Sequence, residues 1–387
     1  MLEPIVKRNQ QIFYEANSRL PSGEGIDGIF IYNMEPGDAN FFLVTGAVAA
    51  GHFKYSSAMV HPDGNARLLI AQLERLGAEK AGLEYMITDQ GTEKDIPRFV
   101  SGCKRLGINA TSLPEKIASL LRMNGYDLVD VSDELTSART TKTEEELASM
   151  RKACNIVCRV CLDIPKYIRP GVKEIELAAQ MEYQMRVLGS SGTAFDTIVA
   201  SGPNPADPHF VTGDREIREG DFILLDFGAV VNGMHSDITR NFVLGPASDL
   251  QRELYSTILG IQEEALRNLR VGVDGYGLWE NASNRVEGFF LDRSMKGEMG
   301  HGLGHGIGYF THDGPRISKV HYTVPNGLIV TVEPGGYSEG FGGVRIEDDV
   351  LVTDGGLEIL TSKAPKDSLI EIPITKSELP HFSEIGG

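Results

Sequence analysis

The chain has 387 residues, 41% of them hydrophobic and 24% charged, with a formal net charge of −17 and a pI of about 5.0. That length suits about two domains, and the acidic balance argues against a nucleic-acid or anionic-membrane partner, each of which needs a basic face. No apolar run reaches membrane-spanning length, the charged N-terminal stretch does not read as a signal peptide, and the four cysteines form no disulfide framework, so a cytoplasmic protein is expected.

The first 140 residues alternate strand-like and helix-like segments. "GIDGIFIY" reads as a strand, "NFFLVTG" as a short strand ending at Gly46, and "SSAMVHPDGNARLLIA" as a hairpin turning at Pro62-Asp63-Gly64. Helical patterns follow around 72–82, 93–105 and 114–124, with strand candidates "RLGINATS" and "DLVDVS" between them. This predicts an α/β domain over residues 1–140 that carries no nucleotide-binding glycine fingerprint. Thr143 and Glu146 then form a capping-box pattern that opens a long helix and a second domain, residues 141–387. Helices are expected at 144–165, 173–188, 250–270 and 275–290 with strands between them, and the last twenty or so residues, with Pro365, Pro373 and Pro380, read as a tail.

The second region repeats itself. "GDFILLDFG" carries Gly220, Asp226 and Gly228, and "GLIVTVEPG" carries Gly327, Glu333 and Gly335 at the same offsets. Each acid is followed, past a turn, by another: Asp237 after 11 residues and Glu347 after 14. Each unit also follows two helical patterns, so residues 144–355 read as two similar helix–helix–hairpin halves about a pseudo-twofold axis. Asn232-Gly233 is a strong two-residue hairpin signal. With that turn, opposed residues sum to 465, so Asp226 faces Thr239 and Asp237 is its diagonal neighbour on the same face, with backbones roughly 7–8 Å apart. Glu333 and Glu347 are expected to converge in the same manner. Four carboxylates in one place repel one another, and one or two divalent cations would balance them.

"MGHGLGHGIGYFTHDGPR" adds His301, His305 and His312. The HxxxH spacing of the first two would suit one zinc on a helix, but the glycines at 300, 302, 304, 306 and 308 disfavour a helix. In an extended chain, residues four apart are separated by roughly 13 Å, so only one of the pair is expected to bind a given ion. Cys154, Cys158 and Cys161 have the C-x3-C-x2-C spacing of iron–sulfur radical enzymes. They fall on one face inside the long helix, without a loop, and are read as core packing. Asp226-Phe227-Gly228 spells a protein-kinase signature, but no catalytic loop, strand lysine motif or phosphate loop accompanies it.

With "DFGAVVNGMHSDITR", "HGLGHGIG", "TVEPG" and "GGVRIED", residues 144–355 resemble the pita-bread metallopeptidases, a family that includes methionine aminopeptidase, aminopeptidase P and prolidase (Xaa-Pro dipeptidase). The family's five metal ligands match Asp226, Asp237, His305, Glu333 and Glu347. The N-terminal segment around "GDANFFLVTG" is similar to the creatinase-like domain of the prolidase and aminopeptidase P branch. The resemblance implies an α+β chain, in which a pita-bread catalytic domain follows a smaller α/β domain. It implies a dinuclear peptidase that cleaves the bond before proline, with two divalent ions; manganese is expected, and cobalt, zinc and iron are alternatives. Asp237 and Glu347 would be shared between the ions, Asp226 would hold one of them, and His305 with Glu333 the other. Glu333 would also shuttle the proton. His209, in "SGPNPADPHF", and His312 match the positions that hold substrate and stabilise the tetrahedral intermediate, and Arg345 would orient the carboxylates. His301 and Arg316 are further substrate-side candidates, Arg316 as a grip on a terminal carboxylate. After "HGIG" the prolidase pattern continues Leu-Glu-Val-His-Glu, whereas this chain has Tyr309-Phe310-Thr311-His312-Asp313, which puts the substrate side chain in question and leaves the metal chemistry intact. A dipeptidase is the expected activity and a homodimer the expected assembly. The alternatives are an aminopeptidase P acting on longer peptides, a metal-free creatinase-like or peptide-binding relative, and a hydrolase or lyase of a non-peptide substrate.

Overall fold

The computed structural model describes residues 2–34, 37–47 and 53–374. The chain divides into two compact units, Met1–Arg139 and Thr140–Gly387.

The first unit carries a six-stranded mixed sheet in the order β4-β3-β2-β1-β5-β6. Its strands are β1 (Gly28–Asn33), β2 (Ser56–Val60), β3 (Ala66–Ile70), β4 (Glu84–Ile87), β5 (Arg105–Ile108) and β6 (Asp127–Asp130). Helices α1 (Glu3–Ser18), α2 (Ala39–Thr45), α3 (Arg75–Ala81), α4 (Thr92–Phe99), α5 (Glu115–Met123) and α6 (Ser132–Thr140) precede, connect or follow them. The core joins Phe30, Met59 and Leu69 of the sheet to Ile96, Phe99 and Leu121 of the helices. The hairpin turn at Pro62-Asp63-Gly64 forms as expected, with Gly64 at φ +85°. "NFFLVTG" is a helix, not a strand. The Asp38 carboxylate caps its N-terminus by accepting from the Asn40 N–H, and Gly46 ends it at φ +66°. A short apolar run has no readable period, and here the caps decide.

The second unit repeats helix, helix, hairpin. Its first half contains α7 (Glu144–Asp163), α8 (Glu174–Val187), β7 (Ile198–Ser201), β8 (Phe222–Phe227), β9 (Val230–Val231), β10 (Met234–His235) and β11 (Ile238–Leu244). Its second half contains α9 (Asp249–Asn268), α10 (Gly275–Leu291), β12 (Gly304–Gly306), β13 (Asp313–Ile317), β14 (Leu328–Val332), β15 (Gly335–Ser338), β16 (Gly342–Arg345), β17 (Asp348–Thr353) and β18 (Gly356–Ile359). Helices α7 and α9 are both 20 residues long, and both open on a capping box, Thr143 with Glu146 and Ser248 with Gln251. The repeat glycines Gly220 and Gly327 both take φ +83°. The expected tail is in part a strand: β19 (Ile370–Ile372) pairs parallel with β11 and completes the order β19-β11-β8-β7. Pro380 lies outside the described residues.

Strand alternation sets what each face does. Ile223, Leu225 and Phe227 of β8 pack with Val157, Leu177 and Met181 of the first helix pair. Val330 and Val332 of β14 and Val350 of β17 pack with α9 and α10 through Leu254, Ile258 and Val286. The intervening positions face the other way: Asp226 lies on the face of β8 opposite α7 and α8, and Thr331 and Asp349 lie on the face opposite α9 and α10, where Asp349 meets Cys154 of α7. Cys154, Cys158 and Cys161 are buried side chains of α7, as read from their spacing.

Candidate metal centre and substrate cavity

The Asn232-Gly233 turn has positive φ at both residues, +48° and +74°, as a type I′ hairpin requires. The register follows: Val231 pairs with Met234, Phe227 with Ile238, and Asp226 with Thr239. Asp237 lies two residues before Thr239. The second hairpin reaches convergence differently. Val332 pairs with Asp348, and Gly335 pairs with Arg345 in the same register beyond Pro334, so Glu333 and Glu347 fall directly opposite one another between the two ladders, not on a diagonal.

The two hairpins bring their acids together. One ligand atom each of Asp237, His305 and Glu347 lies within 4.8 Å of the others, and all three residues are buried. His305 Nε2 is 3.7 Å from Asp237 Oδ2 and 3.4 Å from Glu333 Oε1. His305 Nδ1 lies 3.1 Å from the Gly306 carbonyl and donates to it, which leaves the Nε2 lone pair facing the carboxylates. Asp226 joins through Arg345, whose guanidinium donates to Asp226 Oδ2, to Thr239 Oγ1 (3.0 Å) and to the Tyr337 hydroxyl (2.8 Å). Thr239 in turn donates to Glu347 Oε2 at 2.7 Å. The Asp226–Arg345 pair is buried.

Burial, and after it the Glu347 charge, pushes the Asp237 carboxyl well above its ordinary value; burial and then Glu333 do the same for Glu347. Burial also raises Glu333, against the pull of His301 and Arg345. His305 is held neutral, chiefly by burial. Asp226 Oδ1 and Asp237 Oδ1 are buried acceptors with no hydrogen-bond partner. Orphaned carboxylate oxygens beside a neutral imidazole lone pair are a donor set that suits a divalent cation.

A cavity of about 550 Å³ opens over this cluster, and all ten residues singled out from the sequence line it. His209 comes from the loop after the short turn Asn204–Ala206, whose start is pinned by the buried Glu174 carboxylate through Ser201 and Asn204. The His312 ring lies 4.4 Å from that of His305, and burial, then His305, lowers its pKa. Arg316 stands directly across the β12–β13 ladder from His305. His301 lines the cavity with both ring nitrogens engaged, Nδ1 to the Gly302 carbonyl at 2.7 Å and Nε2 to the Tyr337 hydroxyl at 2.8 Å. Residues 299–303 are not helical, in keeping with the glycine spacing, and of the two histidines only His305 lies in a strand, β12. Thr239, Tyr337 and Asp349 were not singled out from the sequence; the hairpin register already put Thr239 opposite Asp226, while Tyr337 and Asp349 carry no local signal.

A family profile, metallopeptidase family M24, matches residues 148–354. The Xaa-Pro dipeptidase of Pyrococcus furiosus is 33% identical over 367 residues, covering 93% of this chain and 97% of that protein. The structure of the Xaa-Pro dipeptidase from Bacillus anthracis matches with a TM-score of 0.82 at 29% identity, covering 96% of this chain and all of that one. An X-Pro aminopeptidase structure from Thermotoga maritima matches with a TM-score of 0.79 at 31% identity, covering 90% of this chain and 98% of that one. These likenesses extend through the N-terminal α/β unit as well as the pita-bread unit. With the repeated hairpins, the carboxylate cluster and these likenesses in agreement, the chain belongs to metallopeptidase family M24.

Proposed function

We propose that the chain is a dinuclear metal-dependent Xaa-Pro dipeptidase. The observation that carries this reading is the meeting of Asp226, Asp237, His305, Glu333 and Glu347 under one cavity that also presents His209, His312 and Arg316. The names of relatives matched over nearly the whole chain support the substrate class. Asp226, Asp237, His305, Glu333 and Glu347 would hold two divalent ions; manganese fits an oxygen-rich set with one imidazole, as do cobalt, iron and zinc. When bound, the ions supply positive charge and Lewis acidity that lower the pKa of water.

The protein groups do the rest. Thr239 and Arg345 hold Glu347 and Asp226 in fixed rotamers. Glu333, with its carboxyl raised by burial, accepts a proton from the attacking water and hands it to the proline nitrogen as the carbon–nitrogen bond breaks. The neutral His312 and the exposed His209 approach from separate loops and donate N–H to the substrate and to the developing oxyanion. Arg316 reads the substrate's terminal carboxylate. The four cysteines are free in the structure, which fits a reducing cytoplasm, and a homodimer is the family's expected assembly.

The runner-up reading, an aminopeptidase P acting on longer peptides, is supported by the Thermotoga likeness. The retained ligand set disfavours a non-catalytic relative. The test is a metal-dependent assay on Xaa-Pro dipeptides, Xaa-Pro-Xaa tripeptides and Met-Ala peptides. Dipeptide-selective hydrolysis is expected, comparable tripeptide turnover would favour the aminopeptidase, and no hydrolysis with any divalent ion would refute both.

A further inference from the structure

Trp279 is the only tryptophan in the chain. It sits on α10, half-buried, and its indole Nε1–H donates to the backbone carbonyl of His301 at 3.0 Å. Tyr276 packs against the ring with centroids 5.8 Å apart, and Lys319 Nζ lies 5.4 Å over it, so two neighbours restrict the indole's direction.

The carbonyl it holds belongs to a segment whose backbone has few anchors, the remaining hold coming from the buried Met299 side chain and the His301 ring. Glu298 exchanges both backbone hydrogen bonds with Tyr337, and Leu303 donates to the Ile317 carbonyl. Between these points, among the described residues, the backbone of residues 299–302 makes no backbone-to-backbone hydrogen bond. Two of these residues are glycines, and Gly300 takes φ +72°, so the backbone here resists rearrangement less than a run of non-glycine residues would. Yet His301 and Gly302 form a wall of the cavity. The His301 ring continues a line of hydrogen bonds through Tyr337 and Arg345 to Asp226.

We infer that Trp279 is a positioning residue: by clamping the His301 carbonyl it holds the glycine-rich wall against which substrate docks. This rests on the reading of the cavity as the peptidase site. Trp279 touches neither the carboxylate cluster nor the cavity, so its effect falls on substrate binding and not on metal loading.

Because the tryptophan is unique, the test can be made at one atom. Benzothienylalanine at position 279 replaces the indole N–H with sulfur and keeps the ring shape; Trp279→Phe is the simpler companion. In the full-length, metal-loaded protein we expect KM for an Xaa-Pro dipeptide to rise by ~3–10-fold, the worth of one neutral hydrogen bond, with kcat changed less than about twofold on the same scale and metal content unchanged. Amide hydrogen exchange of residues 299–303 should quicken while that of α9 stays as before. Unchanged KM, or unchanged exchange in that segment, in the benzothienylalanine protein overturns the inference. If the unmodified protein cleaves no Xaa-Pro peptide, the functional reading falls, and hydrogen exchange alone still decides whether Trp279 is the clamp.

Discussion

Asp349 holds Asp237 from behind: the Asp237 backbone N–H donates to Asp349 Oδ2 at 2.9 Å, and the Cys154 thiol reaches the same oxygen at 3.3 Å. The strand that begins just after Glu347 therefore also fixes the backbone of an acid on the other hairpin. Asp349→Ala would leave a buried N–H without an acceptor, a loss of about 1–3 kcal/mol. The expected outcome is a lower Tm together with weaker divalent-cation binding by calorimetry. Asp349→Asn, which keeps an oxygen in place, should recover most of both. Equal cation affinity in the alanine variant would show that Asp349 supports the fold alone.

The metal ligands and their neighbour can be separated in the same way. Asp237→Ala should abolish tight cation binding, since Asp237 stands at the centre of the cluster. His301→Ala should leave cation content intact, because both its ring nitrogens are engaged by protein groups. His312→Ala should lower kcat by ~10²–10³-fold, the usual cost of removing an oxyanion donor, also with full metal content. Loss of metal from the His301 variant would contradict the geometry.

Cation binding should be strongly pH-dependent. The Asp237 and Glu347 carboxyls are raised in the folded protein, so in the metal-free form they retain protons above the ordinary carboxylate range. A raised carboxyl stabilises the fold below its unfolded value of about 4 and loses that contribution as pH rises. Cations must displace those protons. The rise in Tm produced by a saturating divalent cation should thus be larger at pH 8 than at pH 5. An equal rise at both values would mean that these two carboxyls are not the ligands.

The acids behind the site form a second buried ionic group. Asp348 is fully buried and accepts from Arg240 Nη2 (2.7 Å), Gln262 Nε2 (2.9 Å), Thr361 Oγ1 (2.8 Å) and the Lys366 ammonium. It faces the helices, one position out of phase with Glu347. Asp348→Ala strands Arg240 in the core, and the expected cost is about 3–5 kcal/mol of stability in denaturant unfolding. Removing the exposed Arg151–Glu358 pair should cost about 0–1 kcal/mol. Similar losses for the two would refute the distinction.

The parts of this architecture that a local signal governs were legible in the sequence. Asn232-Gly233 set the first hairpin's register, and the capping box at Thr143 marks the first long helix. The Gly220 and Gly327 offsets exposed the repeat. What depends on contacts between distant segments was not legible. Glu333 and Glu347 meet directly opposite one another because the ladder continues in register past Pro334, which spacing alone does not tell. Tyr337, Asp349 and Trp279 act through partners 8 to 112 residues away. Helix α2 escapes the pattern because a run as short as residues 41–44 fits either period, and its start depends on the Asp38 cap.

Substrate length is the sharpest question left to Arg316. It faces His305 across the β12–β13 ladder, lines the cavity and is solvent-exposed. Opposed residues of an antiparallel pair share a face, so the guanidinium rises from the same wall as the imidazole, toward the cavity mouth. There it can take a carboxylate through two parallel hydrogen bonds. A dipeptide offers that carboxylate one residue beyond the scissile bond; its C-terminal amide and a tripeptide do not. Xaa-Pro should accordingly be cleaved much faster than Xaa-Pro-amide or Xaa-Pro-Xaa. Arg316→Ala should shrink that preference by about 1.5–3 kcal/mol, the worth of a charged hydrogen bond, chiefly by raising KM for the dipeptide while the amide is little affected. An Arg316→Lys variant retains the charge without the fork and should fall between the two. If the alanine variant keeps the full preference, the carboxylate is read elsewhere and Arg316 is a solvated strand residue.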